Sequence, residues 1–125
     1  MQNKLFLTVF VMVVGALVIT GAAPAEKVLH LKLDTSIPEA DQVLKAPLKK
    51  IVLKFSQRPE LTVARIEIQD GKLSKVARSQ DDETILWVAV EEPLAAGTHT
   101  VKWVTSSSDG HPVRGEFSFM VSADR

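Results

Sequence analysis

Beyond residue 26 the chain is written in short runs whose apolar residues recur at every second position, and that period constrains the fold more than any other feature. A period of two puts alternate side chains on opposite faces of an extended strand, whereas a helix needs 3.6. Val28-Leu29-His30-Leu31-Lys32-Leu33 sets Leu29, Leu31 and Leu33 against Val28, His30 and Lys32. Ile51, Leu53 and Phe55 alternate with Val52 and Lys54; Ala64, Ile66 and Ile68 alternate with Arg65, Glu67 and Gln69. Thr84 to Val90 is rich in β-branched and aromatic residues. Val101 and Trp103 share a face opposite Lys102 and Val104, and Gly115, Phe117, Phe119 and Val121 share one opposite Glu116, Ser118 and Met120. Turn residues separate the runs: Ile37 to Asp41, Lys45-Ala46-Pro47, Arg58-Pro59-Glu60, Asp70-Gly71, Pro93 to Gly97, and Asp109 to Pro112. No window keeps a helical period over helix length, although Glu39 to Leu44 has room for one helical turn. About seven short strands with regular turns predict an all-β sandwich of two antiparallel sheets, with a small barrel as the alternative.

The first 25 residues read as something other than fold. Lys4 precedes an apolar run from Leu5 to Ile19, broken by Thr8 and Gly15, and small residues follow at Gly21, Ala22, Ala23, Pro24 and Ala25. This is the layout of a secretory leader, and Ala23-Pro24-Ala25 fits the A-x-A rule for cleavage before Glu26. The competing reading is an uncleaved anchor, but the run is short for a span of roughly 20 residues. The expected arrangement is a removed leader over residues 1–25 and one domain over residues 26–125, long enough for a single core. The chain has no cysteine, which excludes a lipid-anchored cysteine and any disulfide framework, although export would permit one. Its formal charge is zero, so no basic surplus points to nucleic acid or to an anionic membrane.

Without cysteine, and with Met120 the only methionine beyond the leader, the chain is too poor in soft donors to favour copper(I) or thiolate-zinc sites. Three histidines and the carboxylates remain. Asp109-Gly110-His111 is the densest candidate, because residues two apart point to one side of an extended segment. Gly110 lets the backbone bend close to an ion, and Pro112 restrains His111 to an extended form. Imidazole with carboxylate suits tetragonal copper(II), and also zinc. The plain alternative is a hairpin turn with a surface histidine. His30 sits on the polar face of its run, where a solvated histidine is the default. His99 shares a face with Val101 and Trp103, which marks it as a packing residue. Ser108, Asp109 and His111 are too crowded in one loop for a nucleophilic relay, and no oxyanion-hole motif accompanies them. The acidic run Asp81-Asp82-Glu83 reads as a solvated turn.

Four segments together resemble the CopC family of periplasmic copper-binding proteins. His30 to Pro38 fits H-x-x-L-x-x-S-x-P, and Lys49 to Ser56 ends in L-x-F-S. Pro93 to Trp103 is similar to P-L-x-x-G-x-Y-x-V-x-W, with His99 in place of the tyrosine. Ser107 to Phe119 matches S-x-D-G-H-P-x-x-G-x-F-x-F, the longest and most specific of the four. The resemblance implies a Greek-key sandwich of immunoglobulin-like or cupredoxin-like type that binds copper(II) in the periplasm without catalysis. Carried over, its metal ligands are His30, Asp109 and His111. The implied roles are copper resistance, buffering, or delivery to a CopD-like inner-membrane partner; the expected state is a monomer.

One departure bears on the site. In the family the ligand histidine is the mature N-terminus and chelates through amine and imidazole, whereas cleavage before Glu26 leaves Glu26-Lys27-Val28-Leu29 ahead of His30. Two outcomes stay open: a site of His30 imidazole, Asp109, His111 and water, or a CopC-like interaction module whose metal site is weakened or lost. A copper oxygenase would need an N-terminal histidine brace, which the same residues disfavour.

Overall fold

The fold is built around one long hairpin. In the computed structural model, which describes Gly21 and residues 30–123, strands β7 (Gly97–Ser106) and β8 (Pro112–Val121) pair antiparallel over their whole length. The remaining strands are β1 (Leu33–Ile37), β2 (Val43–Leu44), β3 (Lys50–Phe55), β4 (Arg65–Ile68), β5 (Ala77–Arg78) and β6 (Ile85–Ala89), with a single 3-10 turn at Leu61–Val63. They form two four-stranded sheets, in the orders β1-β3-β6-β5 and β2-β8-β7-β4. The chain crosses between the sheets repeatedly in the Greek-key manner, so the sandwich expected from the alternation is present and the barrel is not.

The alternation reads directly into the core. Ile51, Leu53 and Phe55 from β3 and Leu86 and Val88 from β6 meet Ile66, Ile68, Val101, Trp103, Phe119 and Val121 from the other sheet, all buried. Phe55 meets Trp103 edge to face across the sandwich, with ring centroids 5.2 Å apart. Trp103 lies opposite Gly115 in the β7–β8 register, and its ring covers that glycine. A β-carbon at Gly115 would stand 2.6 Å from the Trp103 ring, so the glycine of the long motif is the seat of the tryptophan. His99 is partly buried and stacks on Phe119 at 5.7 Å, as a packing residue should. Its Nε2 lies 2.7 Å from the Ala95 carbonyl, and only a protonated ring nitrogen can donate there.

Four details differ from the alternation. The first strand begins at Leu33, and its pairing with β3 shifts register between Leu33 and Thr35; Leu31, ahead of the strand, is nonetheless buried. Ile37 therefore ends a strand instead of opening a turn. The segment after it makes a turn and then β2, which pairs parallel with β8, so that sheet is not wholly antiparallel. Asp70-Gly71 does form a turn, with Asp70 at φ 58°, but the chain leaves it for the other sheet instead of folding back as a hairpin. The proposed leader apart from Gly21, its cleavage point, and Val28 and Leu29 lie outside the described residues.

Candidate metal centre

The β7–β8 connection is a short loop whose shape follows from its own hydrogen bonds. Ser107 donates its N–H to the His111 carbonyl at 3.1 Å and accepts from Gly110 N–H at 2.9 Å. Gly110 has φ 85°, a conformation that side chains disfavour, so glycine closes the turn. The turn reading of Asp-Gly is met, and the same turn brings the Asp109 and His111 side chains together.

Asp109 is held from three directions. Its Oδ1 accepts from the Ser107 hydroxyl and from His111 N–H, the latter at 3.2 Å. Its Oδ2 lies 2.7 Å from His111 Nδ1. The Ser107 hydroxyl first, and then the His111 ring and backbone, hold the Asp109 carboxyl well below the usual carboxylate range. Both side chains of the pair are largely exposed, so this contact sets geometry more than it stabilises the fold. With Nδ1–H engaged by the carboxylate, the neutral His111 ring carries its lone pair on Nε2, the carboxylate–imidazole arrangement that orients a metal-binding histidine.

His30 arrives from the other sheet. Ser56, just after β3, donates its N–H to the Lys32 carbonyl at 2.9 Å, and its hydroxyl accepts from Lys32 N–H at 3.0 Å. The same hydroxyl lies 3.5 Å from the His30 carbonyl. This clamp carries His30 to a hollow of about 180 Å³ that Gln57, Ser107, Asp109 and His111 also line. All three ligand candidates thus border one concavity. They do not close on one another: among the described residues, no three His, Asp or Glu side chains are placed to hold a metal ion as they stand. Asp109 and His111 face each other, and His30 stands across the hollow. A larger depression of about 540 Å³ lies elsewhere, on the charged outer face of β4, β7 and β8, and offers no imidazole.

Ser56 and Ser107 were not singled out by spacing. Their signal lay in the two motifs that contain them, the L-x-F-S that ends β3 and the serine that opens the D-G-H segment. Ser36 has a comparable part: its hydroxyl donates to the Pro38 carbonyl at 2.8 Å, closing the S-x-P turn.

The structure is a two-sheet β-sandwich with an imidazole–carboxylate pair on its long hairpin and a second imidazole across a small hollow. The CopC domain pattern matches residues 33–122, and the chain belongs to the CopC domain family. It is 35% identical to the copper resistance protein C of Escherichia coli, across 95% of this chain and 96% of that one. It is 32% identical to the protein of the same name from Xanthomonas campestris pv. juglandis, over 84% of this chain and 90% of that one. Among solved structures it is similar to PcoC, a methionine-rich copper resistance protein from Escherichia coli: TM-score 0.66, 32% identity, 75% of this chain and all of that one. CopC from Methylosinus trichosporium OB3b gives TM-score 0.66 and 31% identity over 74% of this chain and 94% of that one.

Proposed function

We propose that this protein is a non-catalytic copper(II)-binding protein of the periplasm, serving copper resistance by buffering the ion or passing it to a CopD-like membrane partner. The observation that carries this reading is the convergence of His30, Asp109 and His111, from opposite sheets, on one hollow. Two imidazoles and a carboxylate are the donor set that copper(II) prefers, and no thiolate competes. His111 binds through Nε2. Asp109 stays ionised; its Oδ2 sits on the Nδ1 side of the ring, facing away from Nε2, so it joins His111 on one ion only once the Oδ2–Nδ1 contact opens and the carboxylate or the ring turns. His30 closes on the pair to complete the site. The names of the two curated relatives support the resistance role.

In this reading residues 1–25 are a removed leader and the amine belongs to Glu26, so His30 contributes its imidazole alone. Losing the amine–imidazole chelate weakens binding by decades, at about 1.4 kcal/mol each. Titration with copper(II), followed by electron paramagnetic resonance, should give one protein-bound signal with nitrogen coupling that disappears in His111→Ala. Absence of any bound signal at stoichiometric metal overturns the proposal. That outcome would favour the second reading, an interaction module with a weakened site, for which the unclosed ligand set speaks. Mass measurement of the mature N-terminus tests the cleavage point, and a chain starting at His30 would restore the chelate.

A further inference from the structure

On the side of the sandwich away from β7, β8 is only partly covered. β2 pairs with Met120 and Val121 alone, and the approach to it adds the Asp41 N–H bond to the Ser118 carbonyl, 2.7 Å, and the Met120 N–H bond to the Gln42 carbonyl, 2.8 Å. Those bonds show that Ser118 and Met120 turn their backbone groups away from β7. In an antiparallel ladder this direction repeats at every second residue. Arg114 and Glu116 therefore also aim N–H and C=O outward, where no strand lies against them among the described residues.

The open stretch borders a groove of about 350 Å³, whose opposite wall is β1, itself an edge strand. Leu33, Trp103 and Phe117 give the groove an apolar lining, while Asp34, Glu39 and Glu116 stand at it as carboxylates. None of the three carboxylates has an ion-pair partner among the described residues, and Lys102, opposite Glu116 in the register, does not form one with it. Lysine and arginine are absent from the lining.

An unpaired strand edge, an apolar trough and unopposed carboxylates together specify an occupant. We infer that this groove takes an extended segment of a partner protein, with alternating apolar and basic residues, added as a strand along Arg114 and Glu116 of β8. Main-chain bonds supply the adhesion, and the side-chain alternation supplies specificity. The apolar residues of the segment pack on Leu33 and Phe117, and its basic residues meet Asp34, Glu39 and Glu116. The segment continues the edge that β2 begins.

The test uses the purified protein in the presence of a chelator, so that metal binding plays no part. The probe is a blocked nine-residue peptide of alternating lysine and valine, and the comparator carries glutamate for lysine. The lysine peptide should bind at least tenfold more tightly, shift the amide resonances of Leu33 to Ser36 and Arg114 to Phe117, and slow exchange of the Glu116 amide about tenfold. Glu116→Pro removes the outward N–H, and Asp34→Lys with Glu39→Lys reverses the charge without touching β8; each should weaken binding about tenfold. Equal affinity for both peptides overturns the inference, as do shifts confined to the outer face around Arg65 and Lys102. Concentration-dependent dimerisation that protects Glu116 without peptide would make a second copy the occupant and equally overturn it.

Discussion

Asp109 and Ser107 form a donor–acceptor unit in which each side chain has one role. The carboxylate orients His111, and the hydroxyl holds the carboxylate ionised and in place. Ser107→Ala removes the largest of the contacts that depress the Asp109 carboxyl. Its pKa should rise towards the ordinary value, as read by nuclear magnetic resonance titration of the side-chain carbonyl. Copper(II) affinity should fall about tenfold, the scale on which partners of metal ligands act. Retention of affinity together with the raised pKa would show that Asp109 does not touch the ion. The same reasoning explains why spacing alone left Asp109 and His111 undecided. Residue type and separation are shared by turns and ligand pairs, and the deciding information is the direction of each lone pair, which depends on a serine and a backbone N–H that no pairwise spacing encodes.

At the scale of the element, the β7–β8 hairpin depends on the seat that Gly115 gives Trp103. The tryptophan is buried and braced by Phe55, so it has no room to yield. Gly115→Ala should destabilise the fold by about 2 kcal/mol, the usual cost of overpacking a core, measured as a lower midpoint in urea. The turn into β6 makes a different prediction. Asp82 accepts from the Thr84 hydroxyl at 2.6 Å and its N–H at 2.9 Å, and pairs with Lys54 of β3 at 3.2 Å. The Thr84 bonds, with Lys54 after them, lower its carboxyl from 3.8 to about 2. A folded-state value below the unfolded one means stability that is complete above pH 4 and lost as pH falls through 2. Asp82→Asn should be less stable than the parent near pH 7, and the gap should narrow as acid unfolding is followed from pH 4 to pH 2. The acidic run is thus a turn, as its composition indicates, but one whose middle carboxylate ties β6 to β3. The strands β3, β4, β7 and β8 were legible because burial of one face imposes the period over most of their length. β2 and β5 were not, since two residues carry no period and pair only because neighbouring strands offer an edge. The start of β1 was misplaced because Leu31 keeps the alternation although its backbone has not yet joined the ladder.

Across the whole molecule, the proposed site spans the sandwich. His30 is fastened by Ser56 to β3 in one sheet, whereas Asp109 and His111 ride on the hairpin of the other. An ion held by all three is therefore a cross-link between sheets that are otherwise joined by the core and the connecting loops, in a chain that has no disulfide to do this. An ion that binds only the folded form adds stability by mass action, about 2.7 kcal/mol at a free concentration of 100 times Kd. For a domain of this size each kcal/mol moves the midpoint by about 4–8 °C, so copper(II) should raise Tm by more than about 10 °C. His111→Ala should abolish the rise, and so should His30→Ala if the cross-link is real. A loop-only site predicts another pattern: His30→Ala would leave the ion bound by Asp109 and His111, and most of the stabilisation would survive. Differential scanning calorimetry of the parent and the two variants, with and without copper(II), separates these cases, because only a sheet-to-sheet bridge makes the stability gained depend equally on a residue before β1 and one after β7.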